Sequence, residues 1–60
     1  MELEVRIFVN DDRLDEAIEI LDDNCIANDL DGGNRIMVND RDLDEIEELF
    51  DEAGIDFDII

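Results

Sequence analysis

The sequence predicts an α+β fold in which a four-stranded antiparallel sheet has two acidic helices on one face. Four short segments alternate apolar and polar residues, as half-buried strands do, and two segments space their apolar residues three and four apart, as amphipathic helices do. The second half of the chain repeats the first at an offset of 29 residues. We therefore expect a single domain over residues 1–60, with βαβ repeat units over about residues 3–30 and 32–60.

The repeat is clearest where the first strand of each half runs into its helix. Residues 6–16 align with residues 35–45, and both segments begin with arginine, continue through an apolar strand and reach an acidic helix. The match extends through Glu19 on Glu48, Asp22 on Asp51, Ile26 on Ile55 and Asp29 on Asp58.

The first half of the chain predicts a strand, a helix and a second strand. Alternation predicts a strand over residues 3–9, and apolar spacing predicts a helix over residues 11–23. Asn24 is expected to take the left-handed conformation that ends this helix. A second strand is predicted over residues 25–30. The side chains expected to face the core are Leu3, Val5, Ile7, Val9, Leu14, Ala17, Ile18, Leu21, Ile26 and Leu30.

The second half predicts the same three elements again. A glycine-rich turn leads into a strand over residues 35–39, so the two middle strands are expected to be antiparallel. A helix follows over residues 40–52, with Gly54 just past its end, as helix C-termini prefer. The last strand is predicted over residues 55–60.

The element order βαββαβ corresponds to two split βαβ units joined by a hairpin, which is the ferredoxin-like arrangement. In this arrangement the first and third strands are central and the second and fourth lie at the edges. Asp29, Asp56 and Asp58 fall on the predicted edge strands, where charge discourages pairing between molecules.

The composition argues against an enzyme. The chain lacks His, Ser, Thr, Tyr and Lys, which removes most side chains that act as nucleophiles or as bases near neutral pH. The single cysteine, Cys25, excludes an internal disulfide and is expected to be a small apolar filler on the uncovered sheet face. No cofactor is expected. Since no targeting leader or long apolar run is present, we expect a cytoplasmic protein without membrane contact.

A specific metal site is not expected either. The spacing of Asp40, Asp42 and Asp44 is that of the start of an EF-hand loop, but Glu45 stands where such a loop requires glycine. The segment also has the apolar spacing of a helix rather than a loop.

The distribution of charge gives the main functional hypothesis. The formal net charge is −17, from 21 acids and four arginines. If both apolar stripes pack on one sheet face, the two acidic helix faces become one surface resembling rows of phosphates. This layout is similar to that of small acidic phage inhibitors of CRISPR and restriction systems. The resemblance implies a nucleic-acid mimic that blocks the binding groove of such an enzyme in the host cytoplasm. The mimic itself would bind no nucleic acid. The expected partner-binding residues are Asp15, Glu16, Glu19, Asp22, Asp23, Asp44, Glu45, Glu47, Glu48, Asp51 and Glu52.

Two other interpretations remain open. Arg6, Phe8, Arg35 and Met37 alternate onto the sheet face without helices, where an apolar centre with arginines predicts a possible homodimer. The chain would then be a small regulatory or assembly module whose acids provide solubility only. The acidic, Lys-free surface is also what a halophilic, solvated domain would have.

Overall fold

The computed structural model describes residues 3–60, and Met1 and Glu2 of the predicted domain lie outside this range. It is a small α+β structure, with a four-stranded antiparallel sheet, two α-helices and overall dimensions of 28 × 22 × 18 Å. The second α-helix begins at Leu43 rather than at the predicted residue 40, because the 3₁₀ turn Asp40–Asp42 precedes it. The elements are β1 (Val5–Val9), α1 (Asp11–Asp23), β2 (Asn28–Leu30), β3 (Arg35–Val38), α2 (Leu43–Ala53) and β4 (Phe57–Ile59).

The strand order is β2-β3-β1-β4, so β1 and β3 are central and β2 and β4 lie at the edges. All three strand pairs are antiparallel. Ile7 pairs with Ile36 and with Ile59, and Ile36 pairs with Leu30. Because residues directly opposite each other point to the same face, these four aliphatic side chains form one row across the sheet.

Both helices pack on the face of the sheet that contains this row. Their apolar stripes and the inward strand residues form a single core. The largest core side chain is Phe50, whose ring meets that of Phe57 edge to face at a centroid distance of 5.4 Å. Within residues 3–60 no helix has the length and apolar character needed to cross a bilayer. The buried hydrophobic residues are Ile7, Val9, Ala17, Leu21, Ile26, Ile36, Val38, Ile46, Phe50 and Ile55.

The two helices end with the same backbone motif. The N–H of Ile26 donates to the Leu21 carbonyl and that of Cys25 to the Asp22 carbonyl, which is a Schellman motif. The corresponding bonds, 29 residues later, end α2 at Gly54. Cys25 has a φ of 56° and Gly54 a φ of 72°. The prediction that Asn24 is left-handed is therefore wrong, since its φ is −100° and the next residue takes that conformation.

The motif at the end of α1 also explains why β2 is shorter than predicted. Residues 25–27 complete the helix end, so pairing begins only at Asn28. Cys25 is exposed, which corrects its predicted role as a filler on the sheet face. Leu30 and Ile59 lie on the helix-covered side, as alternation predicts, but they are 52% and 59% exposed. The helices do not extend over these edge positions, so the prediction that Leu30 is buried is wrong.

Candidate functional site

All eleven predicted partner-binding carboxylates are exposed. The reason lies in the helical repeat, because the apolar side chains at three- and four-residue spacing turn the remaining positions toward solvent. We call these eleven residues the acidic helix surface. Its members are Asp15, Glu16, Glu19, Asp22 and Asp23 on α1 and Asp44, Glu45, Glu47, Glu48, Asp51 and Glu52 on α2.

The α2 part of this surface contains a compact acidic cluster. Asp44, Glu47, Glu48 and Asp51 line one shallow depression of about 380 Å³. They stand three or four residues apart, so neighbouring Cβ atoms are about 5–6 Å apart on the helix surface. Four like charges at this spacing repel one another and attract cations or a cationic partner.

The α1 part is held by two polar contacts on opposite flanks of the helix. On the outer flank, the Asp22 carboxylate accepts a hydrogen bond of 3.0 Å from the Asn28 side chain in β2. On the inner flank, Arg13 donates from Nη2 to the Ala53 carbonyl of α2 at 2.9 Å, and its Nε pairs with Glu16 at 3.0 Å. The acidic helix surface therefore extends from the groove between the helices to the edge of the sheet.

Both helices have acidic residues at their C-terminal ends, where negative charge is unfavourable. Asp22 and Asp23 occupy the last turn of α1, Asp51 and Glu52 the last turn of α2, and neither turn contains a basic residue. The C-terminal end of a helix has partial negative charge, so each carboxylate there costs about 0.3–1 kcal/mol at low ionic strength. Selection for stability alone does not account for this placement.

The uncovered sheet face holds the four residues of the predicted dimer interface. Phe8, Arg35 and Met37 are partly buried and Arg6 is exposed. Arg6 Nε pairs with Asp31 at 3.0 Å within the same chain. Arg35 lies over the glycine turn, where a Cβ atom built on Gly33 would be 3.1 Å from its Nη2 atom. Arg6 is thus engaged locally, whereas the buried Nε atom of Arg35 has no hydrogen-bond partner among residues 3–60.

A second concave feature lies beside β4 and was missed by sequence reasoning. Ile55, Phe57 and Ile59 form its apolar floor, and the depression has a volume of about 390 Å³. We call it the β4 groove. The alternation of apolar and acidic residues over positions 55–59 was a possible signal, but only the position of α2 beside the edge strand creates the concavity. The acidic residues that line it are Glu47, Asp51, Asp56 and Asp58.

The aspartates that resemble the start of an EF-hand loop do not form one. Asp40 and Asp42 lie in the 3₁₀ turn and Asp44 in the first turn of α2. Over residues 3–60 no group of three or more potential metal ligands is arranged to hold an ion.

Comparison of the chain with family models, with curated proteins and with solved structures found no match. The functional argument therefore depends on the geometry and charge of the chain itself.

Proposed function

We propose that the chain is a non-enzymatic nucleic-acid mimic that inhibits a nucleic-acid-binding protein by occupying its basic groove. The observation that supports this most directly is the exposure of all eleven carboxylates on two helices that share one sheet face. The partner class is a CRISPR effector or restriction enzyme, and the site of action is the cytoplasm of a host cell in which a phage or mobile element encodes the chain.

The charge spacing supports mimicry of a phosphate backbone. Acids on one helix lie about 5–6 Å apart, and packed helices lie about 8–10 Å apart. Each nucleic-acid strand has one charge per about 3.4 Å of helix axis. The match in density is approximate, but a basic groove recognises phosphates largely through long-range attraction and tolerates such variation.

The energetics of association favour the same proposal. Like charges on each helix repel in the free protein, and the ion pair of Glu16 with Arg13 offsets this repulsion at one position of the acidic helix surface. A cationic groove would relieve that repulsion and speed association. Acids in the last turn of each helix would likewise lose their unfavourable interaction with the helix dipole.

The test is capture of host proteins on the immobilised chain, with two variants of equal charge. Glu19→Lys with Glu48→Lys reverses charge on the acidic helix surface, and Glu4→Lys with Asp29→Lys makes the same change elsewhere on exposed positions. We expect a nucleic-acid-binding protein to be retained by the parent chain and by the second variant, and retained about tenfold less by the first, a loss of about 1.4 kcal/mol. Duplex DNA or RNA should elute it. Equal retention by both variants would refute the role of the helices.

We also propose that the fold is ferredoxin-like and that its halves derive from duplication of one βαβ unit. Three features support this: the central position of β1 and β3, the alignment of residues 6–16 with 35–45, and the same hydrogen bonds at both helix ends. Separate expression of residues 32–60 tests the second part, since a self-complementary βαβ unit should dimerise into a folded sheet.

A second candidate function is a homodimeric regulatory or assembly module. It is favoured by the partly buried Phe8 and Met37 on the uncovered sheet face and by Ile60 beside them, which is 62% exposed. Sedimentation equilibrium of the parent chain and of the Phe8→Asp, Met37→Asp variant separates the candidates. A parent dimer that the variant converts to monomer, with loss of function, favours the module; a parent monomer favours the mimic.

A further inference from the structure

The β4 groove differs from the rest of the acidic surface because its floor is apolar. Ile59 is 59% exposed there, and Phe57 is partly buried with its ring held against Phe50. An exposed aliphatic side chain beside an aromatic face provides a surface on which the methylene stem of a long side chain can pack. The feature is therefore an apolar groove with a charged rim rather than a cluster of acids alone.

The rim determines the charge of a suitable occupant. Glu47 and Asp51 approach from α2, and Asp56 and Asp58 line the groove from the edge of the sheet. Asp58 lies directly opposite Phe8, so its side chain points toward the uncovered face, and Glu47 and Asp51 supply the negative charge on the helix side. Among the described residues that line the groove, none is basic. An occupant with an apolar stem and a cationic end thus satisfies both the floor and the rim.

The corresponding position on the opposite edge lacks these properties. At an offset of 29 residues, Glu47 corresponds to Ile18 and Phe57 to Asn28. The Asn28 amide donates to the Asp22 carboxylate at 3.0 Å and to the Ile26 carbonyl at 2.9 Å, so a hydrogen-bonded polar side chain stands where the β4 groove has an aromatic ring. Asp56 likewise corresponds to Ala27, so only two of the four acidic residues that line the β4 groove have acidic counterparts on the opposite edge. The set of residues that lines the β4 groove is therefore only partly repeated in the first half of the chain.

We propose that the β4 groove receives the side chain of an arginine from the partner protein. This inference rests on the proposed function, which supplies a partner whose groove is rich in basic residues. Arginine fits better than lysine because its planar guanidinium stacks on an aromatic face and binds carboxylates through two parallel hydrogen bonds. Phe57 supplies an aromatic ring that lines the groove, and Glu47 and Asp51 supply carboxylates four residues apart.

The test uses the full chain and a small probe, N-acetyl-arginine methylamide, with the lysine analogue as a control of equal charge. Amide chemical shifts are followed by NMR in about 150 mM salt, at which long-range attraction to exposed acids is largely screened. We expect saturable shifts confined to Glu47, Asp51 and residues 55–59, with weaker binding of the lysine analogue. Shifts spread evenly over both helices, or equal binding of the two probes, would overturn the inference.

A matched pair of variants tests the floor without changing charge. Ile59→Ser removes an exposed aliphatic side chain from the groove, and Leu30→Ser removes one from the equivalent position on the opposite edge. Ile59→Ser should weaken binding of the arginine probe about threefold because apolar contact area is lost, whereas Leu30→Ser should leave the binding of this probe unchanged. Amide spectra of both variants report whether the fold is retained. Equal effects of the two changes would contradict an apolar floor.

The same variants distinguish failure of this inference from failure of the proposed function. If the reversals at Glu19 and Glu48 weaken partner capture about tenfold while Ile59→Ser leaves binding of the arginine probe unchanged, the arginine site in the β4 groove is refuted and the mimic stands. If the probe binds in the groove but the reversals at Glu19 and Glu48 leave capture of the partner protein unchanged, the guanidinium site is supported and the mimic is refuted.

Discussion

Glu48 lies at the centre of a crowded set of like charges on α2. Acids occupy the positions three and four residues away in both directions along α2, and all are exposed. Each of these spacings places side chains next to each other on a helix surface. The four neighbours are Asp44, Glu45, Asp51 and Glu52.

The size of the effect of replacing Glu48 follows from these four pairs. A like-charge pair at this spacing destabilises a helix by about 0.2–0.5 kcal/mol, so Glu48→Gln should raise the free energy of unfolding by about 1 kcal/mol at low ionic strength. Glu48→Lys converts the four repulsions into attractions and should raise it by about 2 kcal/mol. Salt of about 1 M reduces the screening length to about 3 Å and should remove most of the gain.

The assay is urea unfolding followed by far-ultraviolet circular dichroism, at low salt and in about 1 M NaCl. Asp29→Lys is the control, because it makes the same change in net charge at an exposed position on an edge strand. If Asp29→Lys stabilises the chain as much as Glu48→Lys, the effect is one of net charge, and the crowding argument fails. A gain that persists undiminished at high salt would also contradict it.

Three further predictions use the same unfolding assay. Phe50→Ala should cost about 3–5 kcal/mol, because it removes a fully buried ring; a loss below about 1 kcal/mol would contradict that burial. Cys25→Gly should stabilise by about 0.5–1 kcal/mol, since glycine adopts a φ of 56° without steric cost, and a destabilised variant would rule out the left-handed conformation. Arg13→Met should lower the free energy of unfolding by about 1–2 kcal/mol, because the hydrogen bond to the Ala53 carbonyl is lost. Glu16→Gln removes only an exposed ion pair and should lower it by about 0.5 kcal/mol or less. Equal losses for Arg13→Met and Glu16→Gln would show that the bond between the helices adds nothing.

The helices and the pairing of the middle strands were predictable because their signals are local. The apolar spacing over residues 11–23 predicts α1, and the structure confirms those bounds. The glycine-rich turn before β3 predicts an antiparallel pair, which is also confirmed. In both cases the pattern itself requires one buried face or one change of chain direction.

The ends and edges of the sheet were less predictable because they depend on neighbouring elements. Alternation shows which face Leu30 and Ile59 occupy, but their exposure depends on how far the helices extend over the edge strands. Propensity favours Asn24 over Cys25 in the left-handed conformation. The structure places Cys25 there, which is also where the 29-residue offset aligns it with Gly54.

The candidate site shows the same division. Exposure of the eleven carboxylates follows from the apolar stripes alone. The contact between Arg13 and the Ala53 carbonyl depends on how the two helices pack, and the β4 groove depends on the position of α2 beside β4. Neither can be read from periodicity.

The measurement that tests the proposed function most directly is equilibrium competition on the captured partner. Its labelled duplex DNA or RNA is bound first, the chain is added, and fluorescence anisotropy of the label is followed. Mimicry predicts complete release of the nucleic acid at saturating chain, with about tenfold more chain needed after the reversals at Glu19 and Glu48 and with release weakened by added salt. A ternary complex that retains the labelled nucleic acid at saturating chain would contradict the proposal.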